Sequence, residues 1–152
     1  MNPPDVDCRH ELNAPTVMGE AIDDEVMVID LATGVYFSLT GAGAMVWPWL
    51  ISGATPTEIS VACSADSGAV ANSALAIRIA DFAGHLRSEN ILRSRPPETA
   101  PDTGTLAPLP RIASAAVFAC ERFDDMQAML LADPVHEVGD RGWPEVAGTP
   151  VK

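Results

Sequence analysis

Short apolar runs of strand length, separated by turn residues, occupy residues 16 to 39, and from residue 41 onward apolar side chains recur with the spacing of a helix. That switch is the strongest constraint on the chain. A strand sends successive side chains to opposite faces, whereas a helix gathers positions three and four apart, so one segment cannot satisfy both patterns. TVMGEAI (16–22) and EVMVIDL (25–31) flank Asp23-Asp24, a two-residue connection of the hairpin kind. In the second run Val26 and Val28 share one face, and Met27, Ile29 and Leu31 share the other. A turn at Thr33-Gly34 leads to a third strand, Val35 to Leu39, in which Val35 and Phe37 point opposite to Tyr36 and Ser38. Three short antiparallel strands are expected.

Thr40 is placed to cap a helix starting near Gly41. In that helix Ala44, Trp47 and Ile51 lie on one face, with Val46, Trp49 and Leu50 on the next, so it is apolar around much of its circumference. Pro48 deletes the bond to the Ala44 carbonyl and is expected to kink or end it. Thr55-Pro56-Thr57-Glu58 opens a second helix as a capping box with proline at the first helical position. It runs to about Ala65, and Asp66-Ser67-Gly68 interrupts. A third helix, from about Ala69 to Ser88, carries Leu75, Ile79, Phe82 and Leu86 on one stripe and Ala74, Ile77, Arg78 and Asp81 beside it. Glu89-Asn90 then turns into a short strand at Ile91-Leu92. The expected fold class is α+β, a winged-helix-like domain with a three-stranded antiparallel sheet packed on three helices.

Composition divides the chain of 152 residues. Residues 1–15 are polar with three prolines and read as a flexible N-terminal lead. Residues 16–95 form the domain. Residues 96–110, PPETAPDTGTLAPLP, read as a proline-rich linker, since proline removes amide donors and restricts its neighbours. Residues 111–152 are a C-terminal extension. With 21 acidic and 9 basic residues, and Lys152 the only lysine, nucleic acid is not expected as a partner. The third helix offers only Arg78 and Arg87 as cations, poor material for reading a duplex. No segment reaches the run of about 20 apolar residues that spans a bilayer, and the N-terminus has no charged and apolar export signal, so no membrane association and a cytoplasmic location are expected.

Catalytic constellations are sparse. Cys8, Cys63 and Cys120 are odd in number and outside any CxxC spacing, which favours reduced thiols over a disulfide framework or a zinc site. His10, His85 and His136 have no metal-cluster spacing, and Cys120, beside Glu121, has no local histidine. The glycines of TGAGAMVW lack the lysine of a phosphate loop. No catalytic residue, metal or cofactor is expected, and the chain reads as a non-enzyme that holds something for another active site.

The run EVMVIDLATGVYFSLTGAGAMVWPWLISGATPTEI, followed by a helix and HLRSENIL, resembles the small peptide-chaperone family typified by protein D of pyrroloquinoline quinone biosynthesis. Its members are also described as recognition elements for ribosomally made, modified precursor peptides. Glu25, Asp30, Gly34, Tyr36-Phe37-x-Leu39, Gly43, Trp47, Leu86 and Asn90-Ile91-Leu92 carry the resemblance, over about residues 16–95. It implies a chaperone or adaptor that does not itself catalyse the modification. A leader peptide would add as a strand beside the third strand and place apolar side chains in the groove to the third helix. On this chain that edge is Val35, Tyr36, Phe37, Ser38 and Leu39, and the helix wall is Ala74, Ile77, Arg78 and Asp81. The implied partners are a precursor leader peptide and a separate peptide-modifying enzyme. Tyr36 serves equally as a core residue, and Phe37, Leu39, Trp47, Leu75, Ile79 and Phe82 are expected mainly in the core.

In the extension, Phe123, Met126 and Leu130 fall at helical spacing with Met129 adjoining, before Asp133-Pro134 ends a short amphipathic helix. With Trp143 these are candidates for docking a partner enzyme, and packing back on the domain is an equal alternative. The competing functional class is a non-catalytic structural or regulatory winged-helix interaction protein.

Overall fold

The computed structural model describes residues 4–63, 73–113 and 115–124. Within them the element order is β1 (Arg9–Leu12), β2 (Val17–Ile22), β3 (Glu25–Asp30), β4 (Tyr36–Gly41), α1 (Ala42–Ile51), α2 (Pro56–Cys63), α3 (Ser73–Ser88), β5 (Leu92–Arg95) and β6 (Phe118–Phe123). The fold is α+β, with three helices and two antiparallel sheets. One sheet is β1-β5 and the other runs β2-β3-β4-β6.

The two-residue hairpin forms as its sequence dictates: Ile22 pairs with Glu25, and Asp23 takes the left-handed conformation (φ 55°) that such tight connections need. Val26 and Val28 turn into the core, while Met27 and Ile29 stay half-buried on the outer face. The third strand starts one residue later than its apolar pattern suggests. The Val35 carbonyl accepts from Asp30 N–H at 2.8 Å and its amide donates to Thr33 Oγ1, so Val35 closes the turn and is buried without joining the ladder.

Beneath the sheet, Phe37, Leu39, Trp47, Leu50, Ile59, Leu75, Ile79, Phe82, Leu86 and Ile91 build one apolar cluster. Two close approaches depend on glycine. A Cβ at Gly19 would lie 2.8 Å from Trp47 Cζ2, and one at Gly43 would lie 2.7 Å from Phe82 Cζ, so the Trp47 ring lies directly under β2 and α1 meets α3 at van der Waals distance.

The capping box at α2 forms in full: Glu58 N–H donates to Thr55 Oγ1 at 3.0 Å, and Thr55 N–H donates to Glu58 Oε2 at 2.9 Å. At α1 the expected cap is not Thr40. Gly41 takes that position with φ 65° and no side-chain hydrogen bond, because β4 continues through Thr40, and Ala42 N–H donates instead to the Val117 carbonyl at 2.8 Å. Pro48 does not end α1, which continues to Ile51. The Pro48 carbonyl accepts from both Ser52 N–H and Ser52 Oγ.

Three further segments differ from the sequence expectation. The sheet has four strands, not three, because Phe118–Phe123 of the extension adds to β4. The N-terminal lead is not wholly loose: Arg9–Leu12 pairs with Leu92–Arg95, and Arg9 grips Glu58 through two hydrogen bonds of 2.8 and 2.9 Å. Residues 96–110 form no helix or strand, as their prolines require, yet they follow the body closely. Asp102 N–H donates to Ser52 O, Trp49 Nε1 donates to Ala107 O, and Leu109 and Ile112 are buried. Of the proposed amphipathic helix, Phe123 belongs to β6; Met126, Met129, Leu130 and Trp143 lie outside the described residues, as does the expected start of α3 near Ala69.

Candidate functional site

Strand β4 offers one edge to β3 and the other toward α3, and the second edge is the one on which the resemblance implies an added strand. That edge is filled by this chain. Residues Tyr36 to Gly41 pair antiparallel with Phe123 to Phe118, in the register Tyr36↔Phe123, Leu39↔Cys120 and Gly41↔Phe118. The Ala42–Val117 hydrogen bond fixes the ladder's phase, so by alternation Thr40↔Ala119, Ser38↔Glu121 and Tyr36↔Phe123 are the hydrogen-bonded pairs.

Period two then sorts the side chains of β6. Phe118, Cys120 and Arg122 share the face toward α3. Phe118 packs on Phe82 with ring centroids 5.6 Å apart, and the Arg78 guanidinium carbon lies 5.4 Å from the Phe118 centroid. A cavity of about 370 Å³ between the two elements is lined by Arg78, Asp81, Phe82, His85, Phe118 and Cys120. Outside this cavity, just past the end of α3, Arg122 Nε approaches Glu89 Oε2 at 3.6 Å. On the opposite face the Phe123 ring stacks on Tyr36 at 5.1 Å, nearly parallel.

Among the residues expected to form the groove, Tyr36, Phe37, Ser38 and Leu39 lie on β4, but Phe37 and Leu39 send their side chains into the core. What they present at the edge is backbone. Ser38 is buried and donates through Oγ to Glu25 Oε1. Of the expected helix wall, Arg78 and Asp81 line the cleft, whereas Ala74 is exposed and Ile77 is 45% exposed outside it. Phe82 and His85 stand there instead, and Glu89, just past the end of α3, borders a separate cleft with Arg122. Positions 78, 82, 85 and 89 recur at helical spacing, so extending the stripe from Arg78 by steps of four and three would have found them.

The same fold brings Cys120 and His85 to one cavity, a juxtaposition invisible in the sequence. It does not activate the thiol. Burial, reinforced by the Glu89 carboxylate, pushes Cys120 up to about 11, so the sulfur stays protonated near neutrality and is a poor nucleophile. Cys63 is likewise pushed up to about 11 by burial. Among the described residues no three His, Cys, Asp or Glu side chains gather where they could hold a metal ion, and no helix is long and apolar enough to cross a membrane.

No protein-family model, curated protein or solved structure matches this chain. The function therefore rests on the site's own geometry and on the residues that carry the resemblance.

Proposed function

We propose that this chain is a peptide adaptor. In this reading its winged-helix-like body receives the leader of a ribosomally made precursor as a strand between β4 and α3 and presents it to a separate modifying enzyme. One observation supports the reading above the others: an extended segment far along the chain lies in that slot, paired through its backbone over residues Tyr36 to Gly41. Strand addition draws affinity from main-chain hydrogen bonds and selectivity from pockets that take alternate side chains. The slot offers both. Its backbone edge is uniform, and its wall changes from Arg78 and the Phe82 ring on α3 to Glu89 just past the helix end.

The test is reconstitution with a peptide-modifying enzyme and short precursor encoded beside this gene. The adaptor reading predicts no turnover by this protein alone and a faster or more selective modification when it is added. An unchanged rate at saturating protein contradicts it.

A further inference from the structure

The segment that fills the slot is itself informative. None of Phe118 to Phe123 is fully buried, and on the outer face the strand is held by the Phe123 ring stacked on Tyr36. The ion pair of Arg122 with Glu89, just past the end of α3, is half-exposed and longer than a good hydrogen bond. By contrast the connection leading to it is anchored by buried Leu109 and Ile112. Phe118 and Cys120 pack against the apolar cluster only as partly buried members, and its buried members all lie outside β6, so release of the strand would leave them and the tether in place.

We propose that β6 is an internal surrogate for the peptide ligand: it occupies the slot until an extended segment with the same side-chain pattern displaces it. That pattern, on the three alternate positions facing α3, is a large aromatic residue against Phe82 and Arg78, a small apolar residue over the Cys120 cavity, and an arginine toward Glu89. The inference rests on the groove reading above and adds two claims to it, the chemistry of the ligand and the occlusion of its site. A tethered strand competes at an effective concentration in the mM range, so external peptides meet a slot that is mostly closed.

The probe is a fluorescein-labelled synthetic peptide of residues 116–124 with alanine at the Cys120 position, titrated by anisotropy into the whole chain of 152 residues. The comparison protein is the same chain carrying Ala119→Pro and Glu121→Pro. Both positions lie in hydrogen-bonded pairs, so proline removes donors that β6 gives to β4 and leaves β4 and α3 unchanged. The expected result is binding at least about tenfold tighter to the proline variant than to the native chain. A probe with Phe118→Ala and Arg122→Glu should lose that gain. Equal affinity for native and variant proteins, both cooperatively folded by circular dichroism, overturns the occlusion but leaves a peptide site, as on the outer edge of β6. Absence of binding to either folded protein overturns the groove reading itself. Should the proline variant unfold, Phe118→Ala in the protein replaces it, and no gain in probe affinity with that variant overturns the proposal.

Discussion

His10 is 2% exposed on β1, opposite Ser94, and its Nδ1 has no hydrogen-bond partner among the described residues. Burial, with the nearby Arg87 charge in support and Asp5 in partial opposition, lowers its pKa to about 4. The sign follows directly. Between pH 6.5 and 4 the unfolded chain binds a proton that the folded chain refuses, so stability is full above 6.5 and falls as pH drops toward 4. A shift of this size corresponds to a loss of up to about 3 kcal/mol. Glu58, whose carboxyl is held below its usual range mainly by its hydrogen bonds with Arg9, adds a further loss at more acidic pH. Urea unfolding of the native chain and of His10→Leu at several pH values separates the two. The variant should lose most of the slope between 6.5 and 4 and keep the acidic one; an unchanged slope in the upper window contradicts the assignment.

At the scale of elements, α2 is held by groups from both its own sequence and the distant β1. Glu58 accepts the Thr55 amide within the capping box and both guanidinium nitrogens of Arg9. Glu58→Ala should cost about 1 to 2 kcal/mol in denaturant unfolding, with the exposed half of the pair contributing little. Because Arg9 also donates to the Pro97 and Gly53 carbonyls, the cap is read by adding Glu58→Ala to an Arg9→Ala chain, and no further loss there would mean that the cap contributes nothing. The two halves of this junction show what a sequence yields. The capping box was legible because its partners are three residues apart, as were the Asp23-Asp24 hairpin and the buried stripe Leu75, Ile79, Phe82 and Leu86. Arg9 was not, since RHEL has no apolar alternation and becomes a strand only by pairing with Leu92–Arg95. FACERF was hidden for the same reason. Its local pattern merges into a helical spacing through Phe123, and only the open edge of β4 selects the strand. Thr40 was misread as a cap because the continuation of β4 depends on that same distant partner. The candidate site shares this divide: alternation locates the strand, only the resemblance implies that it is an accepting edge, and the identity of its neighbour required the third dimension.

For the whole molecule, residues 118–123 occupy the edge of β4 beside α3, which is the proposed peptide slot. The apolar outer face of the sheet, a cavity of about 500 Å³ bordered by Met18, Ile22, Met27, Ile29 and Tyr36, is the main rival location for a peptide. The two differ in which atoms feel the ligand. Strand addition protects backbone amides along one edge, whereas apolar docking on the outer face touches side chains and leaves the amides of β4 unprotected. The direct measurement is nuclear magnetic resonance of the isotope-labelled double-proline variant, titrated with the unlabelled residue 116–124 peptide and followed by amide hydrogen exchange. The account predicts shift changes and new protection along Tyr36–Gly41, with shifts at Arg78, Phe82, His85 and Glu89. Changes confined to Met18, Ile22, Met27 and Ile29, with no protection of β4, would contradict it.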